Sequence, residues 1–571
     1  MVKLYVKKKD KIMANIKFFA LGGLGENGKN MYITEVNDMI FVLDCGLKYP
    51  SFDLYGVDGV IPDFAYLIEN ENKIQGVFLS HAHDEHAGGV VELLKKIKVP
   101  VFGTHFTISN IEWELEQKGI DKTNFRLYRV NDDKELKFGD VVVRFFATSH
   151  SVPESLGIAL DTPDGVICYA PDFIFSSSID DKYETGFKNL TNINNGNVLM
   201  LASESLGVNN LTRVNNDFLF NQTISDALVK AKRIIFSMYS NDLNRIQKVV
   251  DLCVKNNRKI AIIGRNTQRI VSVGMATGYL KIPQENFINL RFMDEFNNNN
   301  LDDLAVIIAG SRHEPFFMLQ RMMTNQDRLI KIMPTDTVVI VAPPVVGTER
   351  IATRTNDQLS KAGCTVINVA KNILKSSHAD AEDLMMMYQI LKPKYIVPIE
   401  GEYRHEYVQK NIAIDSGFKE EKIIMIDNGE VIGFNDGALS RDYDRVKTSD
   451  VLIDGSIVGD INEVVLHDRE TFSSEGAVIV VVDIDSVRHR IVSGPIIKTV
   501  GFGIELENEI SEDITSIAYD IIYKELQTHE LFDWEELKNK LKEGVTYEIK
   551  SLTRKDPVVI PVIIDVNGGL D

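Results

Sequence analysis

The chain has 571 residues, 44% of them hydrophobic and 25% charged, proportions of an ordinary folded protein that exclude disorder as its dominant state. At roughly 150 residues per domain the length predicts three or four domains, enough to bury several cores. With 63 Lys and Arg against 82 Asp and Glu the formal net charge is −19, which excludes non-specific adhesion to nucleic acid or anionic membrane and requires any polyanion substrate to find a local basic groove.

The N-terminus carries Lys3, Lys7, Lys8 and Lys9, but the apolar stretch that follows is short, is broken by Gly22 and Gly23 and has no small-residue cleavage pattern, so a secreted form is not expected. The first two hundred residues alternate β-branched runs with turn signals. Ile16–Leu21, Met31–Val36, Met39–Leu43, Ile74–Leu79, Val141–Phe146 and Val166–Tyr169 read as strands, with helical spacing in Val90–Ile97 and Ile108–Lys118, a sheet-rich α/β pattern. From about Asn209 the rhythm becomes regular helix–strand alternation, and Arg233–Ser237, Lys259–Ile263, Leu304–Ile308 and Thr337–Val341 are expected as parallel strands buried on both faces. Asn297–Asn300 reads as a solvent loop, strand pattern resumes around Ile367–Glu402, and the polar stretch Tyr443–Gly459 reads as a link to a last α/β segment with an amphipathic helix near Ile514–Leu526. The longest apolar runs, such as Ala477–Val482, are strand-sized and far short of the roughly 18 residues of a membrane helix, so no membrane span is expected. Cys45, Cys168, Cys253 and Cys364 form no CxxC pair and read as reduced residues of a cytoplasmic protein.

Three of only 11 histidines, His81, His83 and His86, fall in Leu79-Ser-His-Ala-His-Asp-Glu-His-Ala-Gly-Gly89. At that histidine frequency the H-x-H-x-x-H spacing arises by chance about 0.004 times in such a chain, so the spacing is a strong signal. It follows a buried-looking strand, and imidazoles leaving a strand end into a tight turn can converge on a metal ion.

The segment resembles the second signature of the metallo-β-lactamase superfamily. Leu43-Asp44-Cys45-Gly46 resembles the first, whose Asp orients the histidine loop; Ser149-His150-Ser151 resembles the third; and Ala170-Pro171-Asp172-Phe173 resembles the fourth, with an Asp that bridges two metals. Ala202-Ser203-Glu204-Ser205, Lys375-Ser376-Ser377-His378-Ala379 and Pro398-Ile399-Glu400-Gly401-Glu402-Tyr403-Arg404 resemble the signatures of the β-CASP subgroup, which acts on nucleic acids. Over nearly the whole chain the resemblance is to bacterial ribonuclease J, through Leu21-Gly22-Gly23-Leu24-Gly25-Glu26, Tyr239-Ser240-Asn241 with Arg245, Gly264-Arg265, and Val458-Gly459-Asp460 through Ser493-Gly494-Pro495. It implies an α/β architecture: a metallo-β-lactamase αββα sandwich with an inserted β-CASP α/β domain and a small α/β C-terminal domain. The expected boundaries are 1–208 and 367–445 for the sandwich, 209–366 for the insertion, 446–460 for a linker and 461–571 for a C-terminal dimerisation domain.

The same resemblance implies a metal set of His81, His83, Glu85, His86, His150, Asp172 and Glu400, oriented by Asp44. Two positions depart from the family pattern: Glu85 stands where the family has Asp, and Glu400 where the last β-CASP signature has His. His81, His83, His150 and Asp172 make a complete first shell without either. A second ion would rely on Glu85, His86, Asp172 and Glu400. This set moves one carboxylate outward by roughly 1.5 Å, the length of one methylene, and trades an imidazole for oxygen, which favours manganese or magnesium over zinc. The expectation is one or two Zn2+ ions, with the second site weak, switched to Mn2+ or Mg2+, or empty.

The implied chemistry uses both ions to activate water and neutralise phosphate, with Asp172, Glu204 and His378 as the catalytic residues and Glu204 paired with His378 to protonate the leaving oxygen. RNA would be held at its backbone by Ser240, Asn241 and Arg245 from the insertion and by Lys375, Ser376, Ser377, His378 and Arg404. Ser377 replaces the family's usual Gly, and Arg265 is a further basic candidate. The leading expectation is a 5′→3′ exoribonuclease with some endonuclease capacity in rRNA maturation and mRNA decay, of reduced activity, resembling the family's second paralogue that accompanies an active partner. The alternative is a largely non-catalytic structural partner of an active paralogue in an RNA-degrading complex. Expected partners are RNA, a homodimer or a paralogue complex, and an RNA degradosome; hydrolysis of a small lactam or thioester is disfavoured because it leaves the bulky insertion unused.

Overall fold

The computed structural model describes residues 14–50, 56–176, 181–193, 197–210, 217–264, 267–292, 302–345, 347–374, 376–455, 457–459, 463–502, 504–528 and 533–566. The chain divides into two compact units, Met1–Tyr49 with Gly59–Val451 and Pro50–Asp58 with Leu452–Asp571.

Within the first unit, an eight-stranded sheet runs in the order Ala438–Ser440, Ile432–Asn435, Asn15–Gly22, Met31–Val36, Met39–Leu43, Ile74–Phe78, Val101–Gly103, Leu127–Arg129. A six-stranded sheet runs Tyr395–Ile399, Val198–Glu204, Gly165–Ala170, Leu156–Thr162, Val141–Ala147, Glu135–Phe138. Side chains alternate across a strand, so Ile167 and Tyr169 join Phe41, Leu43 and Phe78 in the core between the sheets. Val166, Cys168 and Ala170 point to the other face, against Leu384, Met387 and Tyr388 of helix Ala381–Leu391 and Ile412 of helix Tyr403–Asp415. Strand Leu156–Thr162 escapes the sequence pattern because Gly157 and Ala159 are poor strand formers; Gly157 is required there, since a Cβ would collide with the Phe146 ring.

The insertion is a five-stranded, wholly parallel sheet in the order Lys259–Ile263, Leu304–Gly310, Ile234–Tyr239, Thr337–Ile340, Thr365–Asn368. Its central strands are buried on both faces, with Ile234, Phe236 and Met238 in one core and Ile235, Val306 and Ile308 in the other, as a doubly wound unit requires, while the edge strand Thr365–Asn368 is partly exposed. Its edge strand runs to Asn368, past the expected boundary at 366, because Thr365–Asn368 pairs with Thr337–Ile340 rather than with the sandwich.

In the second unit, strands Arg490–Val500, Ala477–Asp485 and Val558–Asp565 form a sheet. Val478, Val480, Val482 and Ile484 pack on Ile514, Ala518, Ile522 and Leu526, the four-residue spacing that marks one face of the expected amphipathic helix. The expected linker is partly structured: Asp450–Asp454 pairs with Ile457–Val458, and Pro50–Asp58, which no composition shift marks, groups with this unit.

One buried acid makes stability depend on pH. Glu406, 2% exposed, accepts the Gly25 N–H at 2.9 Å; burial raises its pKa to about 7, with Asp427 adding to the effect. The folded chain therefore holds a proton that the unfolded chain releases near 4.5, so this group's stabilisation is complete below that value and is lost as pH rises through 7. Glu406→Gln, which keeps the acceptor, is expected to gain on the order of 2 kcal/mol at pH 8 and nothing at pH 4.5. Urea titrations at the two pH values check this; equal gains at both would contradict it.

Candidate metal centre

The site is built at the carboxyl ends of strands. Met39–Leu43 runs parallel to Ile74–Phe78, so Asp44 and the histidine turn leave the first sheet at one edge. In the second sheet Gly165–Ala170, Val198–Glu204 and Tyr395–Ile399 are mutually parallel. Val141–Ala147 shares their direction through two antiparallel steps. Asp172, Glu204, Glu400 and His150 therefore emerge at one edge too, the usual position of a site in such sheets.

Asp44, at φ 61°, orients the histidine turn. Its Oδ1 accepts the Ser80 N–H at 2.7 Å; its Oδ2 accepts from Ser80 Oγ at 2.8 Å, Tyr169 OH at 2.6 Å and His86 Nδ1 at 2.7 Å. Gly46 lies against the Glu85 carbonyl with no room for a Cβ, which seats the turn on the loop after Asp44. An amide at Asp44 would set a donor against donors while still tolerating the positive φ. Asp44→Asn is therefore expected to weaken zinc binding about 10–100-fold by loosening Ser80, whose Oγ lies 2.9 Å from His81 Nδ1, and with it the aim of His81; a competition titration against a zinc chelator reads it, and unchanged affinity would refute the orienting role.

Among the described residues, three groups of ligand-type atoms each lie within 4.8 Å of one another: His81, His83, His150 and Asp172; His86, Asp172 and Glu400; and Asp172, Glu204 and His378. In the first, tautomers follow from the partners. His150 Nδ1 donates to the Ser377 carbonyl at 2.7 Å and His83 Nε2 to the Asn241 carbonyl at 3.0 Å. The remaining nitrogens, His150 Nε2 and His83 Nδ1, face each other at 3.2 Å with lone pair toward lone pair. His81 Nε2 is buried with no hydrogen-bond partner. Burial keeps these rings neutral, taking His81 down to about 3 and lowering His83 and His150. Neutral imidazoles converging on one point beside a carboxylate fit a metal cation, and zinc in particular.

Asp172 Oδ2 lies 3.2 Å from His81 Nε2, 3.2 Å from His86 Nε2 and 3.5 Å from His150 Nε2, so it is shared by the first two groups. Burial opposes its charge, yet the imidazoles of His150 and His378 hold its pKa well below the usual range. In the second group, His86 Nε2 faces Glu400 Oε1 at 3.0 Å. Burial opposes a charge on His86, but Glu400 and Asp44 outweigh it and raise its pKa well above normal. Burial and Asp172 push Glu400 up to about 7, and its Oε2 has no hydrogen-bond partner. This set offers one imidazole and two carboxylates, a poorer zinc site than the first. Glu85 belongs to none of the three groups: it is half-buried in the first turn of the short helix Asp84–Ala87, lines the adjoining cleft, and is raised to about 7 by burial and Asp84.

His378 Nδ1 lies 2.6 Å from Asp172 Oδ1 and 2.9 Å from Glu204 Oε2. Glu204 Oε1 accepts the N–H groups of Phe173 and Ala379 at 2.7 and 3.0 Å. Burial opposes a proton on His378, but Asp172 and Glu204 raise its pKa well above normal.

A cleft of about 1180 Å³ opens over the cluster and is lined by Asn241, Arg245, Ser376, Ser377 and His378. Arg245 pairs with Asp242 at 3.0 Å and Lys248, also in the lining, with Asp217 at 2.8 Å. Two expected contacts fall elsewhere: Ser240 is buried with its N–H on the Gly310 carbonyl, and Arg404 is 67% exposed and paired with Glu402. Lys375 and Arg265 lie outside the described residues. The sequence also missed Asn30, whose Nδ2 sits 3.2 Å from His86 Nε2 and 3.5 Å from Glu400 Oε1, with its Oδ1 fixed by Tyr32 OH at 3.0 Å. An Asn before a strand reads as a turn residue, so no local signal marks it.

Residues 24–203 match the metallo-beta-lactamase superfamily, 231–359 the ribonuclease J beta-CASP domain, 368–419 the Zn-dependent metallo-hydrolase RNA specificity domain and 464–566 the ribonuclease J C-terminal domain. The chain is 35% identical to ribonuclease J2 of Bacillus subtilis (strain 168) over 561 residues, covering 98% of this chain and 100% of that protein. It is 32% identical to ribonuclease J 2 of Staphylococcus aureus (strain NCTC 8325 / PS 47) over 563 residues, with the same coverage. A crystal structure of a protein of unknown function from Enterococcus faecalis V583 is similar in fold, with a TM-score of 0.51 at 16% identity over 74% of this chain and 100% of that one.

Proposed function

The chain belongs to the ribonuclease J family, whose relatives support a metal-dependent ribonuclease function, and from that premise we propose a 5′→3′ exoribonuclease of reduced activity with some endonuclease capacity, acting in rRNA maturation and mRNA decay. The observation that carries the reading is the meeting of His81, His83, His150 and Asp172 beneath a cleft of about 1180 Å³. A divalent cation held there, zinc by the donor set, would supply water activation and charge neutralisation at phosphate.

The chain's own residues do the rest. Asp44 fixes the His86 ring, and the carbonyls of Ser377 and Asn241 fix His150 and His83. His378, whose Nδ1–H is held by Asp172 and Glu204, is the group that protonates the leaving oxygen, from its other ring nitrogen, Nε2. Ser376, Ser377, Asn241 and Arg245 contact RNA phosphate in this reading. Because Arg245 and Lys248 already have acidic partners, and the whole molecule is acidic, binding is weak without metal. The assembly is a cytoplasmic homodimer or a complex with an active paralogue, within an RNA-degrading machine; among the described residues no helix is long and apolar enough to cross a membrane.

Single-turnover degradation of a 5′-monophosphorylated, 3′-labelled RNA under zinc and under manganese tests the proposal, with progressive shortening from the 5′ end as the expected result. Failure to shorten the RNA under either metal would leave the second reading, a non-catalytic partner, which is favoured by the exclusion of Glu85 from the ligand groups.

A further inference from the structure

The inserted domain touches the histidine turn at two consecutive residues, through two different elements. From the loop after strand Ile234–Tyr239, the Asn241 carbonyl accepts from His83 Nε2 at 3.0 Å. From helix Thr267–Ala276, Arg269 Nη2 donates to Asp84 Oδ1 at 2.7 Å. The other Asp84 oxygen accepts from Tyr49 OH at 2.6 Å, and the Asp84 carbonyl accepts the Leu47 N–H at 2.8 Å. Asp84 joins none of the ligand groups. It is a hook, gripped from the sandwich by Tyr49 and from the insertion by Arg269. Neither side chain is more than about a quarter exposed, at 20% for Arg269 and 27% for Asp84, so solvent screens the pair less than an open surface bridge.

We propose that Arg269 is a positioning residue whose bond to Asp84 holds the histidine turn in its ligating conformation, so that docking of the inserted domain and retention of the metal are one event. The inference rests on the metal-dependent reading above. The turn gains from such a tie: helix Asp84–Ala87 is four residues long, too short to be stable by itself, and although Asn241 and Asp44 hold the rings of His83 and His86, the backbone that carries both is anchored at Asp84 between them. Moving the insertion outward to admit a strand would break the contacts at His83 and Asp84 together and loosen the ion. The charged group is seated by one residue of the insertion that touches no ligand, so its removal spares the coordination sphere itself. Arg269 Nη1 also lies 4.0 Å from Glu114 Oε2 of the sandwich, but other contacts between the insertion and the sandwich, Lys182 Nζ on the Gly278 carbonyl at 3.1 Å and Tyr279 OH with Glu154 among them, do not involve Arg269, so an Arg269 variant keeps other means of docking.

The experiment is zinc release from the full-length, zinc-loaded chain to a chromophoric chelator, followed by stopped flow for wild type, Arg269→Met, Arg269→Lys, Asp84→Asn and the Arg269→Met/Asp84→Asn double variant. Arg269→Met is expected to release zinc about 10–100-fold faster. Arg269→Lys, which keeps the charge but not the fork, falls between, and the double variant releases no faster than Arg269→Met, because Asp84→Asn weakens a bond that Arg269→Met has already removed. If Arg269→Met does not fold, as judged by circular dichroism, Arg269→Lys and Asp84→Asn carry the test, each releasing zinc faster than wild type. Release at the wild-type rate in the folded variants, or strictly additive effects in the double variant, overturns the inference alone. A wild-type chain that takes up no zinc overturns the metal-dependent reading and this inference with it.

Discussion

Replacing His81 and His83 together by alanine is expected to remove the tightly bound metal and to lower RNA cleavage on the order of 10³-fold, since the loss of one cation takes away both water activation and several kcal/mol of charge stabilisation. The two rings supply half of the first ligand group, and only His150 and Asp172 would remain. Stability should respond in an unusual way. Without metal, the wild type holds the His83 and His150 lone pairs 3.2 Å apart, so removing a ring relieves repulsion and offsets part of the cavity cost. With metal, binding stabilises the folded state by mass action. The expected pattern is a melting temperature that rises with zinc in the wild type and does not move in the double variant. Metal analysis beside a thermal melt reads both. A variant that still carries one ion per chain and cleaves at the wild-type rate would remove the first group from the account.

The second large effect is a gain. Glu85→Asp with Glu400→His is expected to raise metal content from about one toward two ions per chain and to speed cleavage by at least about tenfold. Glu400 sits at φ 56°, a region that histidine tolerates better than most side chains, so the backbone does not oppose the change. Imidazole in place of carboxylate removes a buried acid that burial and the neighbouring Asp172 together push up to about 7, and it shifts the site toward zinc. Shortening Glu85 by one methylene acts on a side chain now outside the ligand group, so Glu400→His should supply most of the gain by itself. Metal stoichiometry and single-turnover rates for all four proteins decide it. No second ion and no faster rate would favour the scaffold role.

The spacing of His81, His83 and His86 is legible in the sequence by itself, whereas His150, Asp172, Glu204, His378 and Glu400 are indicated only by their resemblance to family signatures, since an Asp at a strand end alone reads as a turn residue. The structure brings ligand-type atoms of these residues together in three overlapping groups among the described residues. Period-two and period-four apolar spacing likewise indicated the buried strands and the helix that carries Ile514, Ala518, Ile522 and Leu526. What only the tertiary structure decided is which neighbours complete those residues. The Asn241 and Ser377 carbonyls that set two tautomers are backbone groups, which every residue owns and no sequence distinguishes. Arg269 reaches Asp84 across 185 positions, and Asn30 meets His86 across 56, separations at which a single sequence holds no pairing information. The burial that hides Ser240 and the exposure of Arg404, paired with Glu402, follow from which side of a packed sheet or helix faces the cleft. That is a property of the assembled layers, not of either residue.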